Sequence, residues 1–469
     1  MSAPTNVLVV GGGISGLVCA WRLRQQRLPV ILFEGSSRFG GVIGAVEKSG
    51  FLFDLGPQSF TATAPLRALI EELDLAGELL FADPGAPRYI LFRGKLQPVR
   101  PSPPALLRSP LLGWRTRLRL LTEPLRHASP PQDDESIAAF VRRKFGEDLL
   151  ANLVAPFVSG VFAGDPEKLS LRSAFPGVHA LEEQYGSVLR GAMKSRPRVP
   201  REKGRESSLG NFRRGMVTLP QALVQKLGEA AQSGVEILAL QRSAGENPSE
   251  GFELSYRQGG MLRQLRASAV VVATPTDQAS NLLQQIDPRF PEAFAQIEYA
   301  GVAQVSAGYR MAQIAEPLAS QERGFGFLVP RAEGLRLLGT VFSSFLFPGR
   351  APTQPEQMAS FTSFLGGATD PQLCQQTEDR IAEIARTELA KVLRIGGPPV
   401  VENVWRSQRA LPQYNLGHQR VVAALRQLCA EISGLFLAGN YLSGPSLGSC
   451  IEQSNQTAEA VAGRIATRA

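Results

Sequence analysis

Apolar and polar positions sort the chain into three kinds of stretch. The first is a set of short apolar runs: Asn6-Val7-Leu8-Val9-Val10, Pro29 to Phe33, Val235 to Leu238, Ala269-Val270-Val271-Val272 and Leu435-Phe436-Leu437. Each has the length of a strand, and the valine-rich run at 269–272 predicts the centre of a parallel sheet. A helix after the first run carries Leu17, Ala20, Leu23 and Cys19 on its apolar face. Residues 60–82 predict a further helix around Pro65 to Leu73, closing at Gly77. The second kind alternates. Val302 to Tyr309, Gly326 to Val329, Arg336 to Phe342 and Phe361 to Leu365 predict antiparallel strands, with an amphipathic helix over 376–393. Residues 88–99 predict a hairpin turning at Arg93-Gly94, its first strand buried on both faces and Arg88 held beside a cleft. The third kind is helical and basic. From Ala105 to Arg126 apolar residues interleave with arginines, and helical segments follow at Ser136 to Val141 and Asp148 to Phe157. Ser159 to Pro166 reads as a glycine-rich turn, residues 195–208 as a proline-broken surface loop, and Phe212 to Pro220 as the opening of a helix.

One stretch organises the rest. After the strand at 6–10 comes Gly11-Gly12-Gly13-Ile14-Ser15-Gly16, a G-x-G-x-x-G, then a helix, a second strand and Glu34. Gly11 permits the tight turn, Gly13 lets the backbone approach a pyrophosphate, and Gly16 lets helix and strand pack closely. The helix N-terminus, with Ile14 and Ser15 in its first turn, offers N–H groups and a positive dipole to phosphate. Glu34 stands where an acid takes the ribose hydroxyls. Flanking strands and the acid turn a weak motif into a strong dinucleotide fingerprint. The valine run at 269–272, leading to Thr274, returns the chain to this unit, which is therefore discontinuous. At the far end, Gly439-Asn440, then Ser446-Leu447 before a terminal helix, form a strand, glycine loop and helix N-terminus suited to a flavin's negative N1/O2 side.

Composition narrows the class. At 469 residues, with 43% apolar and 20% charged positions, the chain suits a soluble protein of two or three domains. Four scattered cysteines without a C-x-x-C and three histidines argue against a zinc site or a disulfide framework, and the predicted metal content is none. No run of 18 apolar residues occurs, so no transmembrane span is expected. The first strand starts within a few residues of Met1, which predicts no leader and a cytoplasmic location. The charge of +8 is uneven: nine Lys/Arg lie between Arg88 and Arg126 against the single acid Glu123. No nucleic-acid recognition motif accompanies them, so no nucleic-acid partner is expected. The 105–126 stretch fits either an in-plane membrane helix or a helix with a solvated basic face.

Arg38 with Gly40-Gly41, following Glu34, resembles the flavin signature of the family that includes amine oxidases, phytoene desaturases and protoporphyrinogen oxidases, where these residues lie along FAD. Asp54-Leu55-Gly56-Pro57-Gln58 resembles that family's turn beside the isoalloxazine. A narrower likeness rests on the order of Ser159 to Pro166, Phe212 to Pro220, Gly339 to Ser344, Phe347-Pro348, Pro412-Gln413-Tyr414 with Gly417-His418, and Ala438 to Tyr441 with Gly444. Over residues 6–465 the chain is similar to oxygen-dependent protoporphyrinogen oxidases, the plant and bacterial members above all. The resemblance implies an α/β plus α+β fold in three parts. These are a Rossmann-like FAD-binding domain (1–82, 209–280, 434–469), an antiparallel-sheet substrate domain (83–99, 281–433) and an inserted helical membrane-associating domain (100–208).

It also implies a reaction: six-electron oxidation of protoporphyrinogen IX by O2 with release of H2O2, in haem and chlorophyll biosynthesis. No side chain need act as acid or base, because the flavin carries the chemistry. By the same resemblance Arg88 pairs a substrate propionate. Leu328, Leu338 and Phe364 sandwich the macrocycle, the Ala163-Gly164 backbone faces the pyrrole nitrogens, Val235 lies near the adenine, and His418 is structural. The 105–126 stretch becomes a peripheral membrane contact, and a homodimer is the assembly kept in view. The rivals are coproporphyrinogen III oxidation, an amine oxidase or carotenoid desaturase, and a cofactor-free escort-type binding protein. A hydrocarbon substrate would not need Arg88, and an escort protein would not need Gly11, Gly13, Gly16 and Glu34.

Overall fold

The computed structural model describes residues 7–99, 103–125, 133–195, 209–243, 251–315, 324–353 and 357–467. Asn6, Arg100, Arg126 and the loop expected over 195–208 (from residue 196) lie outside them.

Four of the five apolar runs form one sheet. Its order is Ala231–Gln232, Val30–Phe33, Val7–Val10, Ala269–Val272, Leu435–Leu437, and every pairing is parallel. Val7–Val10 and Ala269–Val272 are buried along their whole length, as strands covered on both faces must be. Helices Ile14–Gln25, Thr218–Leu227 and Leu447–Ala466 supply one cover, sharing a core with Leu17, Leu219, Leu223 and Ile451. On the other side Phe290, Phe294, Leu425 and Leu428 pack against Leu8, Val270 and Leu435. Val235 does not join the parallel sheet. It opens a three-stranded antiparallel meander, Val235–Arg242, Phe252–Gln258 and Met261–Ala267, whose last two strands the sequence reading passed over.

The second sheet has seven strands, in the order Val401–Pro412, Tyr299–Arg310, Met358–Gly366, Leu337–Val341, Gly326–Leu328, Arg88–Phe92, Lys95–Val99. The hairpin at 88–99 turns where expected, at Arg93-Gly94 with φ of 52° and 72°. The sheet is mixed rather than antiparallel: Arg88–Phe92, which enters from a distant part of the chain, runs parallel to Gly326–Leu328. Helix Glu378–Leu393 covers the lower face.

The expected 105–126 helix is two, Pro103–Arg108 and Trp114–Thr122, interrupted around Gly113. Ser159–Phe162 belongs to helix Ala155–Phe162, so the turn expected there is shorter and starts at Ala163, left-handed with φ 49°. The 60–82 helix is confined to Ala64–Glu72, because Phe60–Thr61 and Leu79–Phe81 pair with Leu209–Phe212. All four cysteines are free. Cys19, Cys374 and Cys450 are buried and Cys429 is half-buried. Burial pushes the Cys19 and Cys429 thiols up to about 12 and Cys450 to about 11.

Candidate active site

The C-terminal ends of the parallel strands meet at one edge. Gly11 follows Val10, Glu34 follows Phe33, Thr274 lies just past Val272, and Gly439 just past Leu437. In open parallel sheets ligands bind there. Gly11 has φ +108°, and a Cβ on it would stand 2.6 Å from the Ala273 carbonyl oxygen; on Gly16 it would stand 1.9 Å from the Gly11 oxygen. A Cβ on Gly13 meets nothing within 4 Å. Two glycines thus serve the packing of the turn and one faces open space.

Glu34 accepts from the Gly12 amide (2.7 Å) and the Ser36 amide (2.8 Å), which aims its carboxylate at the glycine loop. Gly40 donates to the Gly12 carbonyl (2.8 Å), and a Cβ on Gly41 would lie 3.3 Å from Gly13 Cα. The R-x-G-G segment therefore lies against the loop. Arg38 braces it by donating to the carbonyls of Gly41 (2.7 Å) and Ile43 (3.0 Å). Val235 donates to the Glu34 carbonyl (3.0 Å) while its side chain is buried. A Cβ on Gly11 would lie 3.1 Å from the Thr274 methyl, and the buried Thr274 hydroxyl has no hydrogen-bond partner among the described residues. Ile14 packs on the core, and Ser15 is buried in the first turn of the first helix. Ser446 caps helix Leu447–Ala466, with half-buried Leu447 at its first position. The Asn440 carbonyl accepts from the Tyr414 hydroxyl (2.8 Å), and Gly439 donates to Gln453 (3.3 Å).

The turn at 54–58 is held from three sides. Gly56 has φ +77°, and a Cβ there would strike the Val42 carbonyl at 2.3 Å. Gln58 donates to the Asp54 carbonyl (2.9 Å), and Pro57 between them is half-buried. Beneath lies a group the sequence reading missed. The Asp54 carboxylate accepts from the Met216 amide (2.6 Å), Asn211 (2.9 Å) and Arg350 (3.2 Å), with Arg350 only 1% exposed. Burial pushes the Asp54 carboxyl up, and Arg350 with the two amide donors pulls it back. Its partners come from residues 157 to 296 positions away, so no local pattern announces it.

The apolar candidates converge on the upper face of the seven-stranded sheet. Leu328 pairs with Gly339 and Gly339 with Phe364 in one cross-strand row. The register slips between Leu337 and Gly339, and this bulge leaves Leu338 on the Phe364 face while Leu337 enters the lower core. Leu338 and Phe364 form one cluster with Ala163, and Leu328 reaches Gly160 of helix Ala155–Phe162. Arg88 starts its strand two residues before Ile90, which pairs with Leu328, so it projects to the same face one step toward the edge. It is exposed and lies over the Phe325 ring (5.4 Å).

The carbonyls of the turn after helix Ala155–Phe162 are engaged: Phe162 accepts from Gln413 (3.0 Å), Ala163 from the Ala368 amide (2.7 Å) and Gly164 from Ser159 (3.4 Å). His418 is buried with Nε2 against the Tyr441 carbonyl (2.9 Å), and desolvation lowers its pKa. Among the described residues no cluster of three metal-binding side chains occurs.

Residues 14–466 match the family described as flavin containing amine oxidoreductase. The chain belongs to that family. Its cofactor is FAD, and it is an oxidase. The open space over Gly13, the bracing of Gly40-Gly41 and the unpartnered Thr274 hydroxyl fit such a group. The chain is 34% identical to chloroplastic protoporphyrinogen oxidase of Nicotiana tabacum, over 98% of this chain and 86% of that one. It is 32% identical to protoporphyrinogen oxidase of Bos taurus, over 98% of both. With coproporphyrinogen III oxidase of Bacillus subtilis the identity is 27%, over 96% of both. A solved protein from Exiguobacterium sp. 255-15 superposes with TM-score 0.82 at 22% identity, covering 98% of this chain and 99% of that one. Cyclohexylamine oxidase of Brevibacterium oxydans follows at 0.69 and 17%, covering 99% and 100%. These two show the shared fold.

Proposed function

We propose that the protein oxidises protoporphyrinogen IX to protoporphyrin IX, consuming O2 and releasing H2O2, in porphyrin biosynthesis. The supporting observation is the upper face of the seven-stranded sheet: Leu328, Leu338 and Phe364 form an apolar wall opposite Ala163, with Arg88 one step away at its margin. A flat apolar macrocycle with carboxylates at its rim matches that distribution. When bound, FAD supplies the two-electron acceptance from carbon and the return to O2. The chain's part is to hold the ring system. The wall excludes water, Arg88 offers a fork to a propionate, and the turn at Ala163-Gly164, tied down by Gln413, Ala368 and Ser159, gives a fixed backbone edge for the pyrroles. The N-terminus of Leu447–Ala466 favours negative charge beside it. In the same reading Gly11, Gly13, Gly16, Glu34, Arg38, Gly40 and Gly41 hold the nucleotide part of FAD. Val235 lies near its adenine, and Gly56 to Gln58, Thr274, Gly439, Asn440, Ser446 and Leu447 line the remainder.

Three functional parts with the boundaries given above go with this reading. The helical part docks on a membrane surface, since Trp114, Leu118, Leu121 and Leu125 are between 53% and 83% exposed beside Arg115. No described helix is long and apolar enough to cross a membrane. The test is aerobic incubation of the FAD-loaded protein with protoporphyrinogen IX and, in parallel, coproporphyrinogen III, following porphyrin fluorescence and peroxide. Fluorescence above the autoxidation blank with about three peroxides per porphyrin, as six electrons in two-electron steps require, is expected for the first substrate. Faster turnover of the second would reassign the protein to the chemistry of its Bacillus relative.

A further inference from the structure

Gln304 sits where the two sheets' business meets. It is 1% exposed, in the middle of strand Tyr299–Arg310. It pairs across the sheet with Phe364, so its side chain leaves the same face as the apolar wall. Its amide is spent on the 54–58 turn: Oε1 accepts from the Gly56 amide (3.0 Å) and Nε2 donates to the Asp54 carbonyl. That turn runs close to Val42, since a Cβ on Gly56 would strike the Val42 carbonyl; Val42 follows Gly41, where a Cβ would lie 3.3 Å from Gly13 Cα. Val42 is an apolar side chain left 41% exposed. Gln304 therefore ties the Phe364 face of the sheet to a turn that lies close to the segment beside the glycine loop. Nothing in a strand interior requires an amide here, and an apolar residue would continue the wall. A buried amide satisfied at both ends by one turn fixes that turn in one orientation.

We propose that Gln304 is a positioning residue that sets the Gly56-Pro57 turn and thereby the register of the FAD ring against the apolar wall. It acts through the turn. The choice of porphyrinogen as the occupant of the wall rests on the function proposed above, whereas the contact between Gln304 and the turn does not.

The experiment compares Gln304→Met with Ser306→Ala in the FAD-loaded protein. Ser306 is the next residue on the same face, equally buried and bonded to Thr362 (3.2 Å), and it does not reach the turn. Three properties are read: the visible absorption of bound FAD, its dissociation constant, and kcat with KM separately. The expectation for Gln304→Met is a shifted flavin spectrum and weaker FAD binding. With porphyrinogen, kcat falls on the order of tenfold to a hundredfold, as misplacement of a reacting centre produces, with KM changed less than about threefold. Ser306→Ala keeps the wild-type spectrum and kcat. A folded Gln304→Met with wild-type spectrum, FAD affinity and kcat overturns the proposal. Should Met prevent folding, Gln304→Glu keeps the acceptor for Gly56 and is judged by the same readings. The wild type supplies an independent arm. The Gly56 amide must exchange slowly with solvent in the holoprotein, and free exchange overturns the proposal. If the wild type fails to turn over any porphyrinogen, the spectral, affinity and exchange readings still decide the role of Gln304.

Discussion

Gly13 and Gly16 stand three positions apart in one motif and do opposite things. A methyl group on Gly16 would collide with the Gly11 carbonyl, while one on Gly13 would project into open space. Gly16→Ala should therefore reduce yield and thermal stability, and Gly13→Ala should fold normally and lose FAD. Equilibrium dialysis with FAD and a melting curve separate the two, and a Gly13→Ala protein that binds FAD like wild type would remove that glycine from the site. At the sheet's margin, Arg88→Ala loses a charge-assisted hydrogen bond to substrate, about 1.5–3 kcal/mol, seen as a rise in KM. An unchanged KM would take Arg88 out of the site. The glycine motif was legible because its logic is local: turn, helix start and acid lie within one unit of about thirty residues. Gln304 and Arg350 were not. Each is a polar residue without a local signal, and each acquires its meaning from a partner about 250 or more positions away.

The elements were recovered where the apolar period was long and unbroken, as in Val7–Val10, Ala269–Val272 and Glu378–Leu393. They were misread where tertiary pairing overrode it. The bulge at Leu337/Gly339 shows no break in the sequence, yet it decides that Leu338 faces the wall. The strands at 252–267 carry alternate charges that resemble loop composition, because only one face of that meander is covered. Helix Pro176–Tyr185 adds an element-level prediction. Its Glu182 is buried between Arg143 (2.8 Å) and Lys144 (2.6 Å), and Lys144 is itself 5% exposed. Burial opposes the Glu182 charge, but the two cations outweigh it and hold the carboxyl below its ordinary value. A depressed carboxylate contributes stability that is present above the unfolded value of about 4.3 and is lost as pH falls through the lower, folded one. Circular dichroism should show an acid-induced loss of helix below about pH 4. Glu182→Gln should lack that step and be less stable at pH 7, by about 3–5 kcal/mol, because Lys144 is left buried with the Gly186 carbonyl but no countercharge. Equal melting temperatures for variant and wild type would show the cluster to be neutral.

At the scale of the whole molecule, the parallel sheet, the mixed sheet and the helices between 103 and 195 each present a different surface. The last carries Trp114, Leu118, Leu121 and Leu125, apolar side chains that nothing in the described structure covers. Trp114→Ser with Leu121→Ser should abolish sedimentation with anionic liposomes without changing turnover of detergent-dispersed substrate, and wild-type sedimentation should weaken with salt. Sedimentation of the variant equal to wild type would place the membrane contact elsewhere.

The placement of the sulfur atoms has a consequence for wear. In the proposed reaction every reoxidation releases peroxide inside the protein, and peroxide attacks thiolates rather than thiols. With Cys19, Cys429 and Cys450 held to pKa values of about 11 to 12 by burial, their thiolate is a vanishing fraction at neutral pH. Met193 and Met261, each 58% exposed, have no such protection. After prolonged turnover without catalase, peptide mass analysis should find sulfoxide on those two methionines and intact thiols at all four cysteines. The enzyme would then age from its surface inward, leaving the flavin cradle among the last parts to be damaged by its own product.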